Sequence, residues 1–308
     1  MNQRQVSDAW ERGDPYEQYV GRWSRQITPL FLNWLSVPAG RRWLDIGCGT
    51  GALCAAILDA CSPSSVAGVE PSEGFLESAR RQLASRATLH RGSATAIPLG
   101  NASVDLVVSG LVLNFIPDQP AALAEMARVT GKGGIIGAYV WDYAGKMELM
   151  RFFWDAAVKL DASATQLDEG VRFPLCRPEA LTELFTGAKL EPIEVTAIDI
   201  PTPFPSFEDY WLPFLGGQGP APAYAMSLDE SATLAFIGAV IVIAALLSGL
   251  IERSGLPQVI IKNSHNVCYI AAPEGVLDID TPKNQEQSRA SNAARTGDLP
   301  RKAGTHTQ

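Results

Sequence analysis

The stretch Trp43-Leu-Asp-Ile-Gly-Cys-Gly-Thr-Gly-Ala-Leu53 constrains this chain more than any other. A short apolar run carries Asp45 near its end. Gly47, Gly49 and Gly51 follow at alternate positions, and Ala52, Leu53, Ala55, Ala56, Ile57 and Leu58 then read as a helix. The pattern is strand, tight turn, helix. Glycine lets the turn take positive φ and lets backbone approach a ligand closely. The helix start offers N–H groups that lack intrahelical partners.

A second apolar run, Val66-Ala-Gly-Val-Glu-Pro71, ends in an acid 25 positions after Asp45. One helix and one turn fit between the two runs, which makes a βαβ unit. An acid at the end of the second strand commonly accepts from ribose hydroxyls. The dinucleotide fingerprint is Gly-x-Gly-x-x-Gly, and here the third glycine comes one residue early. That spacing makes a nicotinamide or nucleotide-sugar enzyme the poorer reading.

These residues resemble the class I S-adenosylmethionine (SAM)-dependent methyltransferases of the small-molecule, type 11-like kind. The resemblance runs over roughly residues 14 to 230. It covers Tyr19-Val-Gly-Arg-Trp-Ser24, the glycine turn, Val69-Glu-Pro-Ser72, Gly92-Ser-Ala94, Val104-Asp-Leu-Val-Val-Ser-Gly110 and Gly131-Lys-Gly-Gly134. Trp141-Asp-Tyr143 and Tyr210-Trp-Leu-Pro-Phe-Leu-Gly-Gly-Gln-Gly219 look like a single subfamily of it. It implies an α/β fold: a Rossmann-like, seven-stranded, mostly parallel sheet with helices on both faces.

The resemblance also implies a cofactor, SAM, and residues to hold it. Asp45, Gly47, Cys48, Gly49 and Gly51 would form its floor, with Glu70 and Pro71 at the ribose. Ser93 and Ala94 would meet the adenine. The family usually has an aspartate where Ser93 stands, and a hydroxyl accepts more weakly than a carboxylate. Ser109 and Leu111 lie at the carboxyl end of a strand, where ligands of open α/β sheets bind. Tyr19 and Arg22 would close over the cofactor, since a guanidinium suits a carboxylate. Asp142, Tyr143 and Asn114 are the catalytic candidates. Two of them have an ordinary structural alternative: turn chemistry for Asp142, packing for Tyr143. His90, on a short strand, reads as structural.

Composition narrows the partners. The formal net charge is −8, and no cluster of Lys and Arg appears, which argues against nucleic acid. Five cysteines without a Cys-x-x-Cys spacing and three histidines argue against a metal site. The polar, charged start of the chain does not read as a signal peptide, so a cytoplasmic location is expected.

Residues 1–13 read as a flexible start, 14–273 as the methyltransferase domain and 274–308 as a disordered tail. Substrate-side insertions are expected at about 144–190 and 202–230. The C-terminal part is atypical. Leu234 to Ile251 is an uncharged apolar run of 18 residues. It reads as a buried helix followed by a last strand at 266–271, as a membrane segment, or as a frame-shifted C-terminus. A membrane role is disfavoured, because the segment would interrupt the sheet. The expected function is methyl transfer from SAM to a small-molecule acceptor. The alternative is a SAM-binding protein without catalysis, or an inactive variant with an altered C-terminus. The acceptor and the oligomeric state are left open by the sequence.

Overall fold

The structure is a computed structural model. It describes residues 20–216, 219–247 and 265–273. These all fall within one unit, Met1–Glu274; the second unit, Gly275–Gln308, lies outside the described residues. The expectations for residues 1–13, for Tyr19 and for the tail also lie outside them.

In chain order the elements are α1 Arg22–Leu35, β1 Arg42–Ile46, α2 Ala52–Ala60, β2 Ser65–Glu70, α3 Glu73–Leu83, β3 Thr88–Arg91, β4 Val104–Gly110 and α4 Gln119–Val129. Then come β5 Thr130–Trp141, α5 Glu148–Leu160, α6 Glu169–Arg172, α7 Pro178–Gly187, β6 Ile193–Pro201, α8 Phe207–Trp211, α9 Pro220–Ala225, α10 Glu230–Leu247 and β7 His265–Pro273. The first five strands are parallel and lie in the order β3-β2-β1-β4-β5. β7 runs antiparallel beside β5, and β6 antiparallel beside β7 at the edge.

Strand residues alternate between faces, and the two cores follow that alternation. On one face Trp43, Val66, Leu106, Val108, Tyr139 and Trp141 pack with α1, α2, α3 and α5. On the other, Leu44, Ile46, Val69, Val107, Ile136 and Val140 pack with α4 and α7. α1 contributes a stripe at helical spacing: Trp23, Ile27, Phe31 and Leu35 are buried, while Leu30 is exposed. Fully burying such a side chain contributes roughly 1.5–3 kcal/mol.

Local chemistry sets the element ends. The Ser72 hydroxyl accepts from the Phe75 N–H at 3.4 Å and starts α3. Asp118 accepts from Ala121 N–H at 3.0 Å and starts α4, with Pro120 in the first turn. Asp105, near the start of β4, pairs with Arg42 of β1 at 2.7 Å and also accepts the Arg42 N–H. That guanidinium holds the Asp105 carboxyl below its ordinary range. Ser109 Oγ donates to the Ile46 carbonyl at 3.0 Å, tying β4 to β1.

The apolar run is the helix α10 as far as Leu247; residues 248–251 lie outside the described residues. It is only partly buried. Phe236 and Val240 are inside, whereas Leu234 and Val242 are exposed. Among the described residues no helix is long and apolar enough to cross a membrane.

Candidate active site

Strand order reverses between β1 and β4, the place where an open α/β sheet leaves a crevice at its carboxyl edge. A cavity of about 160 Å³ occupies it. Asp45, Gly47, Cys48, Gly49 and Thr50 supply its floor, and Glu70 and Phe75 one side. Leu111, Val112 and Phe115 close the other side, and Tyr139, Trp141 and Tyr143 rise from the end of β5. Val20, Ser24 and Thr28 reach it from the start of α1.

The glycine turn is fixed from below. The N–H groups of Gly47 and Cys48 both donate to the Val69 carbonyl, at 2.8 and 3.2 Å. Gly47 has φ +71°, and a Cβ there would sit 2.5 Å from Val112. Gly49 has φ +52° and opens on empty space, its nearest non-neighbouring atom being the Gly47 carbonyl oxygen at 4.0 Å. Thus packing requires the first glycine, and the second leaves bare backbone facing the cavity. Leu111 also takes a positive φ, +61°, while its N–H donates to the Tyr139 carbonyl at 2.8 Å. A leucine persists there only because its surroundings hold it.

Two buried carboxyls frame the turn. Glu70 Oε2 accepts the Gly49 N–H at 3.1 Å and Oε1 the Ser72 N–H at 3.0 Å. Burial pushes its pKa up, against these two amides. An ionised carboxylate offers about four acceptor positions, so Glu70 keeps capacity toward the cavity. Asp45 is more deeply buried, and burial drives its pKa up to about 7. Cys54 Sγ donates to Asp45 Oδ2 at 3.3 Å and works against that rise, while the charge of Glu70 adds to it.

Other expected site residues stand elsewhere. Arg22 does not line the cavity. It pairs with Asp209 of α8 at 2.8 Å and lies over the rings of Trp23 and Phe204. The aromatic segment around Asp209 draws the guanidinium to itself. Ser93 is exposed, with its hydroxyl 2.9 Å from that of Thr95, and neither it nor Ala94 is on the cavity walls. Pro71 is exposed, and Ser109 is spent on the β4–β1 tie. Gly51 packs its open face on Leu83, 2.8 Å from where a Cβ would be. Asp142 lies at the end of β5 with both oxygens engaged: Oδ1 by Gly145 N–H at 2.8 Å and Oδ2 by Lys146 N–H at 2.9 Å. It builds the turn into α5. Asn114 is buried in the short turn Leu113–Phe115, off the cavity walls. Tyr143 alone of the three catalytic candidates lines the cavity. Among the described residues no cluster of metal-ligating side chains occurs.

The sequence reading missed several wall residues. Thr28 and Tyr139 meet through their hydroxyls at 3.2 Å. The four-residue spacing of Ser24 and Thr28 on α1 was the available signal.

The comparisons agree with this geometry. Residues 44–138 match the family model described as "Methyltransferase domain". A malonyl-[acyl-carrier protein] O-methyltransferase of Serratia marcescens is 32% identical over 136 residues, which are 44% of this chain and 52% of that protein. A demethylmenaquinone methyltransferase of Staphylococcus aureus is 36% identical over 105 residues, 33% of this chain and 44% of that protein. The chain thus spans about half the length of these curated relatives. Among solved structures, the Bacillus subtilis protein YcgJ aligns with a TM-score of 0.51 at 16% identity, covering 81% of this chain and 99% of that one. A Haemonchus contortus phosphoethanolamine N-methyltransferase, solved with phosphomonomethylethanolamine and S-adenosylhomocysteine, aligns with a TM-score of 0.51 at 18% identity, covering 84% and 56%. The fold is that of the class I methyltransferases. Within it, residues 44–138 are the part that matches the methyltransferase domain model.

Proposed function

We propose that this chain is a SAM-dependent methyltransferase that acts on a small-molecule acceptor. One observation carries the reading: the bare backbone at Gly49 faces the cavity and is locked to the carboxylate of Glu70. A second feature fits the same group. Trp141 is on the cavity wall, and its buried indole N–H has no partner among the described residues.

On this reading Glu70 receives the ribose hydroxyls, and the backbone from Gly47 to Gly49 lies under the amino-acid part. Phe75, Leu111 and Val112 supply apolar sides for a flat ring. The bound cofactor supplies a methyl group on a positively charged sulfur, already activated for in-line displacement. The chain's part is to orient the acceptor and keep water out. The faces of Tyr139, Trp141 and Tyr143 favour a positive charge beside them. With Asp142 committed to its turn, no base on the β5 edge is required by this scheme.

Calorimetry with S-adenosylhomocysteine tests it. Wild-type protein is expected to bind, and Glu70→Ala to bind at least about tenfold more weakly, a loss typical of hydrogen bonds to a charged group. Folded wild-type protein that binds neither SAM nor S-adenosylhomocysteine overturns the reading. Binding without release of S-adenosylhomocysteine across an acceptor panel would favour a binding protein without catalysis.

A further inference from the structure

The described residues on the cavity walls include two carboxyls and no basic side chain. Asp45 and Glu70 are acidic, and none of the others is lysine, arginine or histidine. The remaining titratable groups there are the Cys48 thiol and the phenols of Tyr139 and Tyr143, with the Cys54 thiol against Asp45. Thiols and phenols are ordinarily uncharged at neutral pH. The charge of this cavity is therefore set by the two carboxyls and by whatever occupies it.

The two carboxyls are held differently. Glu70 takes the N–H groups of Gly49 and Ser72, which support a negative charge. Asp45 is 1% exposed, and among the described side chains its hydrogen-bond partner is Cys54, whose Sγ donates at 3.3 Å. A thiol is a weak donor, so it does little for a buried charge. Burial drives the Asp45 pKa up to about 7; the Cys54 thiol opposes that rise and the charge of Glu70 adds to it. At neutral pH, with no cation beside it, Asp45 therefore holds a proton in roughly half of the molecules.

A positive charge in the cavity changes that balance, because it favours the ionised carboxyl. SAM brings such a charge on its sulfur. S-adenosylhomocysteine shares its other groups and lacks that charge. In the transfer between them the methyl–sulfur bond breaks and its electron pair stays on sulfur. The positive charge passes with the methyl group to the acceptor, which sheds it as a proton to solvent.

We propose that Asp45 distinguishes the charged methyl donor from the uncharged product, releasing its proton to solvent when the sulfonium enters the cavity and taking one up once that charge has gone. The inference rests on the methyltransferase reading and adds a step to it. After transfer a bare carboxylate is left in a buried place with a weak donor, which is costly until it is protonated. The cavity thus holds the donor by its charge and does not hold the product in that way. By linkage, SAM affinity rises with pH through the Asp45 titration, and S-adenosylhomocysteine affinity lacks this rise.

The test is calorimetry on the full-length protein at pH 6.5, in two buffers of different ionisation enthalpy, with SAM and with S-adenosylhomocysteine. That pH lies below the ordinary titration range of an α-amino group, roughly 7.7–8.0, so the ligands' own amines contribute little. The heats give the protons exchanged per site. The expected result is that SAM releases about half a proton more than S-adenosylhomocysteine, and that the ratio of their affinities rises about fivefold in favour of SAM between roughly pH 5.5 and pH 7. Asp45→Asn has no proton to release and loses both differences. Equal proton counts for the two ligands in the wild type overturn the proposal. So does a difference that persists in Asp45→Asn, which assigns the proton to Glu70 or to the ligand. If Asp45→Asn fails to fold, Cys54→Ser decides: its hydroxyl is a stronger donor, favours the ionised carboxyl and moves the rise in the ratio to lower pH, and an unmoved rise overturns the proposal. Folded wild-type protein that binds neither ligand removes the methyltransferase reading itself, whereas binding of both with equal proton counts removes only this inference.

Discussion

The Gly49 N–H donates to Glu70 Oε2 at 3.1 Å, across 21 positions of sequence. This bond ties the turn after β1 to the end of β2, so the two parts of the floor move as one. Glu70→Gln replaces one acceptor oxygen by an NH₂ group, which then faces a backbone N–H as donor against donor. The expected outcome is a S-adenosylhomocysteine Kd raised about tenfold and a melting temperature lowered by a few degrees, consistent with about 1–2 kcal/mol. Calorimetry and thermal unfolding check the two effects on the same protein.

Gly47→Ala is expected to destabilise the protein by about 2–3 kcal/mol, from overpacking and a disfavoured backbone region together. Its new Cβ would lie 2.5 Å from Cγ1 of Val112. Val112→Ala in the same chain removes the two closest contacts, at 2.5 and 2.7 Å, but leaves the Val112 Cβ at 2.9 Å and the φ of +71°. The double variant should therefore recover only part of the loss, leaving about 1–2 kcal/mol. A double-mutant cycle by urea unfolding measures this, and strict additivity of the two changes would refute the contact.

What the sequence made legible was local. β1, β2, β4 and β5 announce themselves as apolar runs beside turn residues, whereas β3 has Leu89 as its one apolar residue, and the helices α4 and α5 begin where Pro120 and Glu148 place them. Asp45, Gly47, Gly49 and Glu70 fall where two apolar runs end and a glycine turn begins, which the sequence marks directly. Arg22 was misplaced because its partner Asp209 is 187 residues away, and nothing near Arg22 foretells it. Asp142 reads either as a catalytic candidate or as turn chemistry, and the two amides that occupy it, from the next four residues, favour the second. Glu169 stayed hidden because it lies in the polar part of a stretch that reads only as a substrate-side insertion. Its burial comes from Trp154 and the β5 edge, which only the folded chain brings to it.

Asp209→Asn offers a direct check on Arg22. The pair is about one-third exposed on each side, and such pairs contribute only about 0–1 kcal/mol. Arg22 also keeps its ring contacts with Trp23 and Phe204. Asp209→Asn is therefore expected to shift stability slightly. Arg22→Ala should leave S-adenosylhomocysteine affinity within about threefold, since the guanidinium is not on the cavity wall. A loss of about a hundredfold would return Arg22 to the cofactor. Calorimetry decides between them.

Stability should fall as pH rises from about 4 to about 8, the opposite of the usual acid lability of a carboxylate-rich protein. Asp45 goes from 3.8 to about 7 and Glu169 from 4.5 to about 8 on burial. Between each pair of values the folded chain holds a proton that the unfolded chain has released. The slope of unfolding free energy with pH is therefore negative there, and it levels off once both groups are ionised in both states. Glu73, Asp105 and Glu125 have the reverse sign, because their arginine partners lower their pKa values. Glu73 is exposed and Asp105 and Glu125 are partly so, as are their arginine partners, so solvent screening weakens all three pairs, and their contribution is lost only at acid pH. Asp45→Asn should flatten the lower part of the slope and Glu169→Gln the upper part. Urea unfolding of the three proteins at half-unit steps from pH 4 to 8.5 measures this. A wild-type stability that rises steadily over that range would show that the two carboxyls are already ionised in the fold, with their charges met by donors that this arrangement does not provide.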